Sequence, residues 1–198
     1  NYTITYNLNN GTNPNDAPTS YNVTTATFNL PTPTKTGYTF VGWYDNAKLT
    51  GEPITTIPQG STGNKTFYAK WTANTYTVIF HANGGTGEMA DQGFTYGDAQ
   101  TLTENAFTLE NALFVGWATS EENAKNGTVA YTNGQSVSNL TETKDGVVNL
   151  YAVWATISIT ACPEIIKLND QLTLTISYKN IPENYIYRVY ITSHNQPV

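Results

Sequence analysis

The chain has 198 residues, a net charge of −6, 12% charged and 13% aromatic side chains, and 14 Tyr. That length fits one large domain or two to three small ones, and a composition rich in Tyr, Thr and Asn favours strands and turns over helices. The acidic balance excludes a nucleic-acid partner, whose phosphates need a basic surface.

Asn1 in place of a starting Met reads as the beginning of a mature or excised fragment. No run approaches the roughly 18 to 20 apolar residues of a membrane-spanning helix, and no basic-then-apolar leader opens the chain, so any membrane attachment is expected from an anchor outside these residues. Tyr2, Ile4, Tyr6 and Leu8 alternate with Thr3, Thr5 and Asn7, the pattern of a half-buried strand. The turn NNGT follows, and Asn and Gly there tolerate positive φ. The oxygen-rich run from Asn9 to Asp16 is a weak candidate for calcium, lacking the spacing of an EF-hand loop. Next, GYTFVGWY predicts a strand over 37–44, with Gly42 at a bulge or a close aromatic contact. FYAKW predicts a closing strand over 67–71, and the short linker 72–75 restricts motion.

The chain then repeats itself. Tyr2, Thr3, Gly11, Thr12 and the run Phe40, Val41, Gly42, Trp43 recur 74 positions later as Tyr76, Thr77, Gly85, Thr86 and Phe114, Val115, Gly116, Trp117. Gly51, Gly63, Tyr68, Ala69 and Trp71 recur 83 positions later as Gly134, Gly146, Tyr151, Ala152 and Trp154, which implies nine inserted residues. The identities place them in one surface loop, residues 119–133, opposite DNAKLT in the first copy. Within that loop SEENAK predicts a helical turn capped by Ser120 with carboxylates in its first turn. Residues 1–73 carry 4 basic and 3 acidic side chains, residues 74–155 carry 2 and 9, and residues 156–198 carry 3 and 3.

After Trp154 the grammar changes. Alternation in 157–161, 172–178 and 185–193 predicts three strands, too few for a sandwich of about seven. They read as the opening of an immunoglobulin-like domain. Cys162, alone, forms no intrachain disulfide and reads as a small buried hydrophobe before Pro163.

PTKTGYTFVGWYDN followed by GNKTFYAKW, and the paired GW and YAxW signatures of both copies, resemble the Listeria-Bacteroides repeat, related to the B-repeats of internalin-type surface proteins. The resemblance implies β-grasp-like units of about four strands, used in series in secreted and surface-anchored bacterial proteins. The second copy departs by replacing the PTKTGYT lead-in with TENAFTLENAL. The expected class is therefore all-β or small α+β, with units over 1–73 and 74–155 and a truncated immunoglobulin-like segment over 156–198.

Chemistry is sparse. His81 and His194 read as solvated or hydrogen-bonded, and no nucleophile elbow appears. Glu121 and Glu122, adjacent in a loop, cannot face each other across a cleft as glycosidase carboxylates do. The Asn-x-Thr triplets at Asn22, Asn64 and Asn126 are those of an Asn- and Thr-rich bacterial chain. Trp43, Trp71, Trp117 and Trp154 recur at matching places, which favours core packing over sugar stacking. No catalytic residue, metal ligand or cofactor is expected, and the sequence identifies no binding residues. The expected role is a stalk or adhesion segment at the cell surface or outside the cell. Its expected partner is a host, matrix or neighbouring surface protein, through loop 119–133 or exposed Tyr residues. The alternative is a carbohydrate-binding module of a secreted enzyme, with a glycan as partner.

Overall fold

A computed structural model describes residues 1–160 and 175–181. The first copy contains β1 (Tyr2–Asn7), β2 (Ser20–Tyr21), β3 (Phe28–Asn29), β4 (Tyr38–Tyr44), β5 (Thr56–Ile57) and β6 (Lys65–Ala73). The second contains β7 (Thr75–His81), β8 (Gln92–Thr95), β9 (Gln100–Thr101), β10 (Ala112–Ala118), α1 (Glu121–Lys125), β11 (Ser136–Val137) and β12 (Gly146–Thr160), followed by β13 (Thr175–Lys179). The fold is all-β, as composition and alternation predict.

In the first copy the sheet order is β2-β1-β6-β4, beside a small pair β3-β5. β1 and β6 run parallel, Ile4 facing Lys65 and Tyr6 facing Phe67. Parallel neighbours need a long crossover, so the whole chain between them serves as one. β4 lies antiparallel to β6, with Phe40 opposite Trp71 and Tyr44 opposite Tyr68. In the second copy the order β10-β12-β7-β8, with the pair β11-β9, repeats these roles. The predicted alternation of the opening strand holds: Ile4 is buried, Tyr2 and Tyr6 are half-buried, and Thr3, Thr5 and Asn7 are exposed.

The bulge expected at the GW signature is present in both copies, between Phe40 and Gly42 and between Phe114 and Gly116. A Cβ on Gly42 would lie 2.6 Å from Pro53 Cβ, and one on Gly116 would lie 2.5 Å from Val129 Cγ1. Glycine is there because the returning loop packs onto the bulge itself. Each bulge turns the next residue inward, and Trp43 and Trp117 are fully buried.

The nine extra residues of the second copy do not form one loop. Trp43 bridges Ile54 and Trp117 bridges Tyr131, a shift of 77 that also aligns Asn46, Ala47 and Lys48 with Asn123, Ala124 and Lys125. Ile57 and Val137 hold the same place in their two-residue strands, a shift of 80. The shift of 83 is reached only by β6 and β12. The insertion is therefore three steps of three, around 119–121, within 132–136 and within 138–145. The match of Gly51 to Gly134 misleads because each glycine serves an unrelated turn. The first step builds α1, where the Ser120 side chain accepts from the Asn123 N–H as predicted.

By packing the described residues form two compact units, Asn1–Ile79 with Asp91–Leu102 and Ser136–Val148, and Phe80–Ala90 with Thr103–Gln135 and the described residues from Asn149 onward. The first has a core of Ile4, Tyr21, Leu30, Trp43, Ile57, Phe67 and Ala69. Tyr76 stacks on Phe94 in the same unit, 5.4 Å between centroids. In the second unit Phe80, Phe107 and Phe114 surround Trp117 at 4.8, 6.2 and 4.9 Å, and Ala118, Ala124 and Val153 pack together.

Beyond the repeat, β12 continues to Thr160 and pairs antiparallel with β13, Thr156 facing Lys179 and Ser158 facing Ser177. The 185–193 run, on which the immunoglobulin-like expectation also rests, lies outside the described residues. So do Cys162 and His194.

Trp71 and Trp154 lie against Gly11 and Gly85, where an added Cβ would meet the indole Cζ2 at 2.5 and 2.8 Å. Gly11→Ala and Gly85→Ala should each lower unfolding free energy by about 1 to 3 kcal/mol, the usual cost of overpacking. Urea titration followed by Trp fluorescence measures it.

Candidate functional site

β6 and β7 are separated by a single residue, Asn74, the one buried polar residue among those described. All four of its polar groups are used. The backbone N–H donates to Gly37 O at 2.9 Å, and the carbonyl accepts from the Tyr96 N–H at 2.8 Å. The side-chain Oδ1 accepts from Thr39 Oγ1 at 2.7 Å, and Nδ2 donates to Glu142 O at 2.8 Å. A buried amide whose nitrogen and oxygen are both bonded fixes its neighbours strongly, because losing either partner leaves a desolvated group. Residues 37 and 39 belong to the first copy and 96 and 142 to the second, and all lie in the first compact unit.

Two further contacts close the junction. Tyr38 meets Tyr96 edge-on at 5.8 Å, and a Cβ on Gly37, whose φ is +73°, would clash with the Tyr96 ring at its Cδ1 and Cε1. The equivalent of Gly37 in the second copy is Asn111, also left-handed with φ 55°. Asn suffices for that conformation; only the residue beneath Tyr96 must also lack a Cβ. At this one position of the lead-in, the difference between the copies matches what packs on the first.

Beside the junction an open polar groove of about 830 Å³ is lined by Thr12, Lys35, Tyr38, Trp71, Asn74 and Glu142, among others. Lys35 Nζ stands 4.1 Å from the centroid of the Tyr38 ring and donates to Asn9 O at 3.1 Å. The groove offers hydroxyls, amide groups and an ammonium already engaged by a carbonyl and a ring. The ammonium's carbonyl contact places a positive charge against the Asn9–Asp16 run weighed above for calcium.

The other sequence candidates are placed as follows. His81 Nε2 lies 2.8 Å from Asn149 Oδ1 and its ring stacks on Tyr151 at 4.6 Å. Glu121 pairs with Lys125 at 2.6 Å, and the hydrogen bond and charge of that lysine hold its carboxyl below the usual range. It sits with Glu122 in the first turn of α1. Trp71 Nε1 donates to Leu8 O at 2.9 Å and Trp154 Nε1 to Ala82 O at 2.8 Å, so both indoles tie the closing strand to the first turn. Asn22 Oδ1 accepts from the N–H groups of Thr24 and Thr25, Asn64 Oδ1 accepts from the Thr3 N–H, and Asn126 caps α1. Among the described residues no three His, Cys, Asp or Glu side chains gather as a metal site. No helix among them is long and apolar enough to cross a membrane.

Sequence reasoning missed Asn74 and Tyr96. Asn74 falls in the stretch 72–75, read only as a short linker; the signal available is Gly37 giving way to Asn111.

The copies also differ inside. Trp43 Nε1 donates to Pro31 O at 2.7 Å, whereas Trp117 Nε1 is buried without a partner. Tyr6 packs 5.0 Å from Trp43 with its hydroxyl buried and unpaired, and burial pushes its pKa up to about 12. Phe80 fills the same place in the second copy, where no hydroxyl is needed.

The profile of the Listeria-Bacteroides repeat domain matches residues 2–70 and 76–153. Two Evansella cellulosilytica proteins, provisionally named a membrane protein and a Gly-rich membrane protein, are 33% and 36% identical over 122 and 84 residues, 61% and 42% of this chain. Internalin H of Listeria monocytogenes is 39% identical over 88 residues, 43% of the chain. The aligned regions span only 17%, 9% and 15% of those relatives' lengths. No solved structure matches the chain.

Tyr6→Phe should raise stability by about 1 kcal/mol, because an unmade hydrogen bond is removed with its donor. A raised phenol pKa means that the folded chain keeps a proton the unfolded chain has lost. Ionisation of Tyr6 therefore leaves stability unchanged below pH 10 and lowers it as pH rises toward about 12. Thermal melts across that range should show the decline reduced in Tyr6→Phe.

Proposed function

Since the chain belongs to the Listeria-Bacteroides repeat domain family and carries two tandem copies of it, we propose that it is a non-enzymatic stalk or adhesion segment of a bacterial surface or secreted protein. The observation that carries this reading is the Asn74 junction. A binding module needs a presented ligand surface, whereas a spacer needs successive copies held in a defined relation. Here a residue with four hydrogen bonds and a glycine-seated tyrosine join the first copy to residues 96 and 142 of the second.

In this reading the copies occupy 1–73 and 74–155, and residue 156 onward begins a further module. Protein contacts fall on the 119–133 stretch, where α1 presents Glu121 and Lys125 with about 60% of each side chain exposed. The location is the cell surface or the extracellular space, a reading supported by the family and by the internalin relative's name. The carbohydrate-module alternative draws less support, since Trp43 and Trp117 are core and Trp71 and Trp154 spend their N–H groups on backbone carbonyls.

Asn74→Ala removes two side-chain hydrogen bonds and should cost about 2 kcal/mol. Hydrogen exchange should show slow exchange of the Asn74 and Tyr96 amides in the parent chain and faster exchange in Asn74→Ala. Unchanged exchange in the variant would show that the Asn74 side chain does not hold the junction. Saturable polysaccharide binding that disappears when an exposed Tyr is substituted would replace the stalk reading with the glycan one.

A further inference from the structure

The chain contains four Asn-Gly steps, Asn10-Gly11, Asn83-Gly84, Asn126-Gly127 and Asn133-Gly134. An Asn-Gly step can cyclise. The glycine backbone nitrogen attacks the Asn side-chain Cγ and loses its proton, a C–N bond forms, and the side-chain nitrogen leaves as ammonia. Water then opens the succinimide to aspartate or isoaspartate. Because glycine lacks a Cβ, approach is unhindered at all four steps. What separates them is the hydrogen bonding of the two reacting groups.

At Asn10 and Asn126 the attacking nitrogen is engaged: the Gly11 N–H donates to Leu8 O at 2.9 Å, and the Gly127 N–H to Ala124 O at 3.2 Å. At Asn83 the leaving group is held, with Nδ2 donating to Ala152 O at 2.8 Å. Asn133 differs on both counts, since its Nδ2 and the Gly134 N–H have no hydrogen-bond partner in the described structure. Its Oδ1 instead accepts from the Asn105 backbone N–H at 2.8 Å. That donor polarises the carbonyl under attack and stabilises the oxyanion of the tetrahedral intermediate, the role of preorganised N–H groups in acyl transfer. Asn133 is exposed and Gly134 half-buried, and their turn is closed by a Gln135 N–H to Thr132 O contact of 3.3 Å, longer than a good N–H···O bond. The peptide can therefore rotate toward the ring-closing geometry at small cost.

We propose that Asn133-Gly134 is a spontaneous deamidation site, converting ahead of the other three Asn-Gly steps through the Asn105 N–H. The product carboxylate keeps that donor as a charge-assisted bond. It adds one negative charge to a copy already rich in carboxylates.

The test is peptide mapping by mass spectrometry of the folded chain held in mildly alkaline buffer, with fragmentation that separates aspartate from isoaspartate. Conversion at Asn133 should run about tenfold faster than at Asn10, Asn83 or Asn126, the rate equivalent of one hydrogen bond that need not be broken first. In urea the four rates should converge. Faster or equal conversion at another step in the folded chain would overturn the inference. An unchanged ranking in urea would do the same, by assigning the order to local sequence. Asn105→Pro, which removes the donor, should slow Asn133 alone; its far-ultraviolet dichroism checks folding, and Asn133→Gln is a folded control expected to lose the modification.

Discussion

The first copy depends on the parallel pairing of its opening strand with its closing one. β1 and β6 are the two ends of the repeat, and their ladder from Ile4 and Lys65 to Asn7 and Tyr68 brings those ends side by side. The chain between them adds β2 and β4 to the two edges of the same sheet and leaves it only for the β3-β5 pair. The GW bulge completes the arrangement by turning Trp43 onto Tyr6 and Phe40, 5.0 and 5.4 Å away. A Trp seated this way contributes a large apolar burial, and its Nε1 fixes Pro31 of the crossover. The second copy keeps the same strand roles with Phe80 in place of Tyr6 and no partner for Trp117 Nε1. The framework thus tolerates changes of polarity at its centre while the pairing scheme stays.

Much of this was legible because it is local. Alternation in residues 2–8, the glycine of the GW signature and the Ser120 cap each express a preference that a few neighbouring residues satisfy. The parallel ladder was not legible, since periodicity reports which face a side chain occupies and is silent about which strand lies alongside. Placement of the insertion failed for a related reason. Identity at Gly51 and Gly134 reflects a shared need of turns, whereas Ile54 and Tyr131, which share no chemistry, hold equivalent bridges to Trp43 and Trp117.

The junction was the least legible feature, because the meaning of Asn74 lies 35 and 68 residues away in Thr39 and Glu142. In isolation an Asn between two strands is an ordinary polar linker. Its counterpart at the end of the second copy is Ile157, where the strand continues unbroken and faces Tyr178. Two copies of one framework therefore end differently, and the residues that differ are those facing the next stretch of chain. Divergence between repeats is here a record of position in the series.

The orientation of β1 and β6 has a mechanical consequence. Two parallel strands at the ends of a module place chain entry and chain exit at opposite ends of the ladder. Tension along the chain then pulls the strands past each other and loads their hydrogen bonds together. An antiparallel arrangement of the same strands would open bond by bond, like a zip. A module loaded through its two ends would, with the parallel arrangement, yield only when the whole ladder shears.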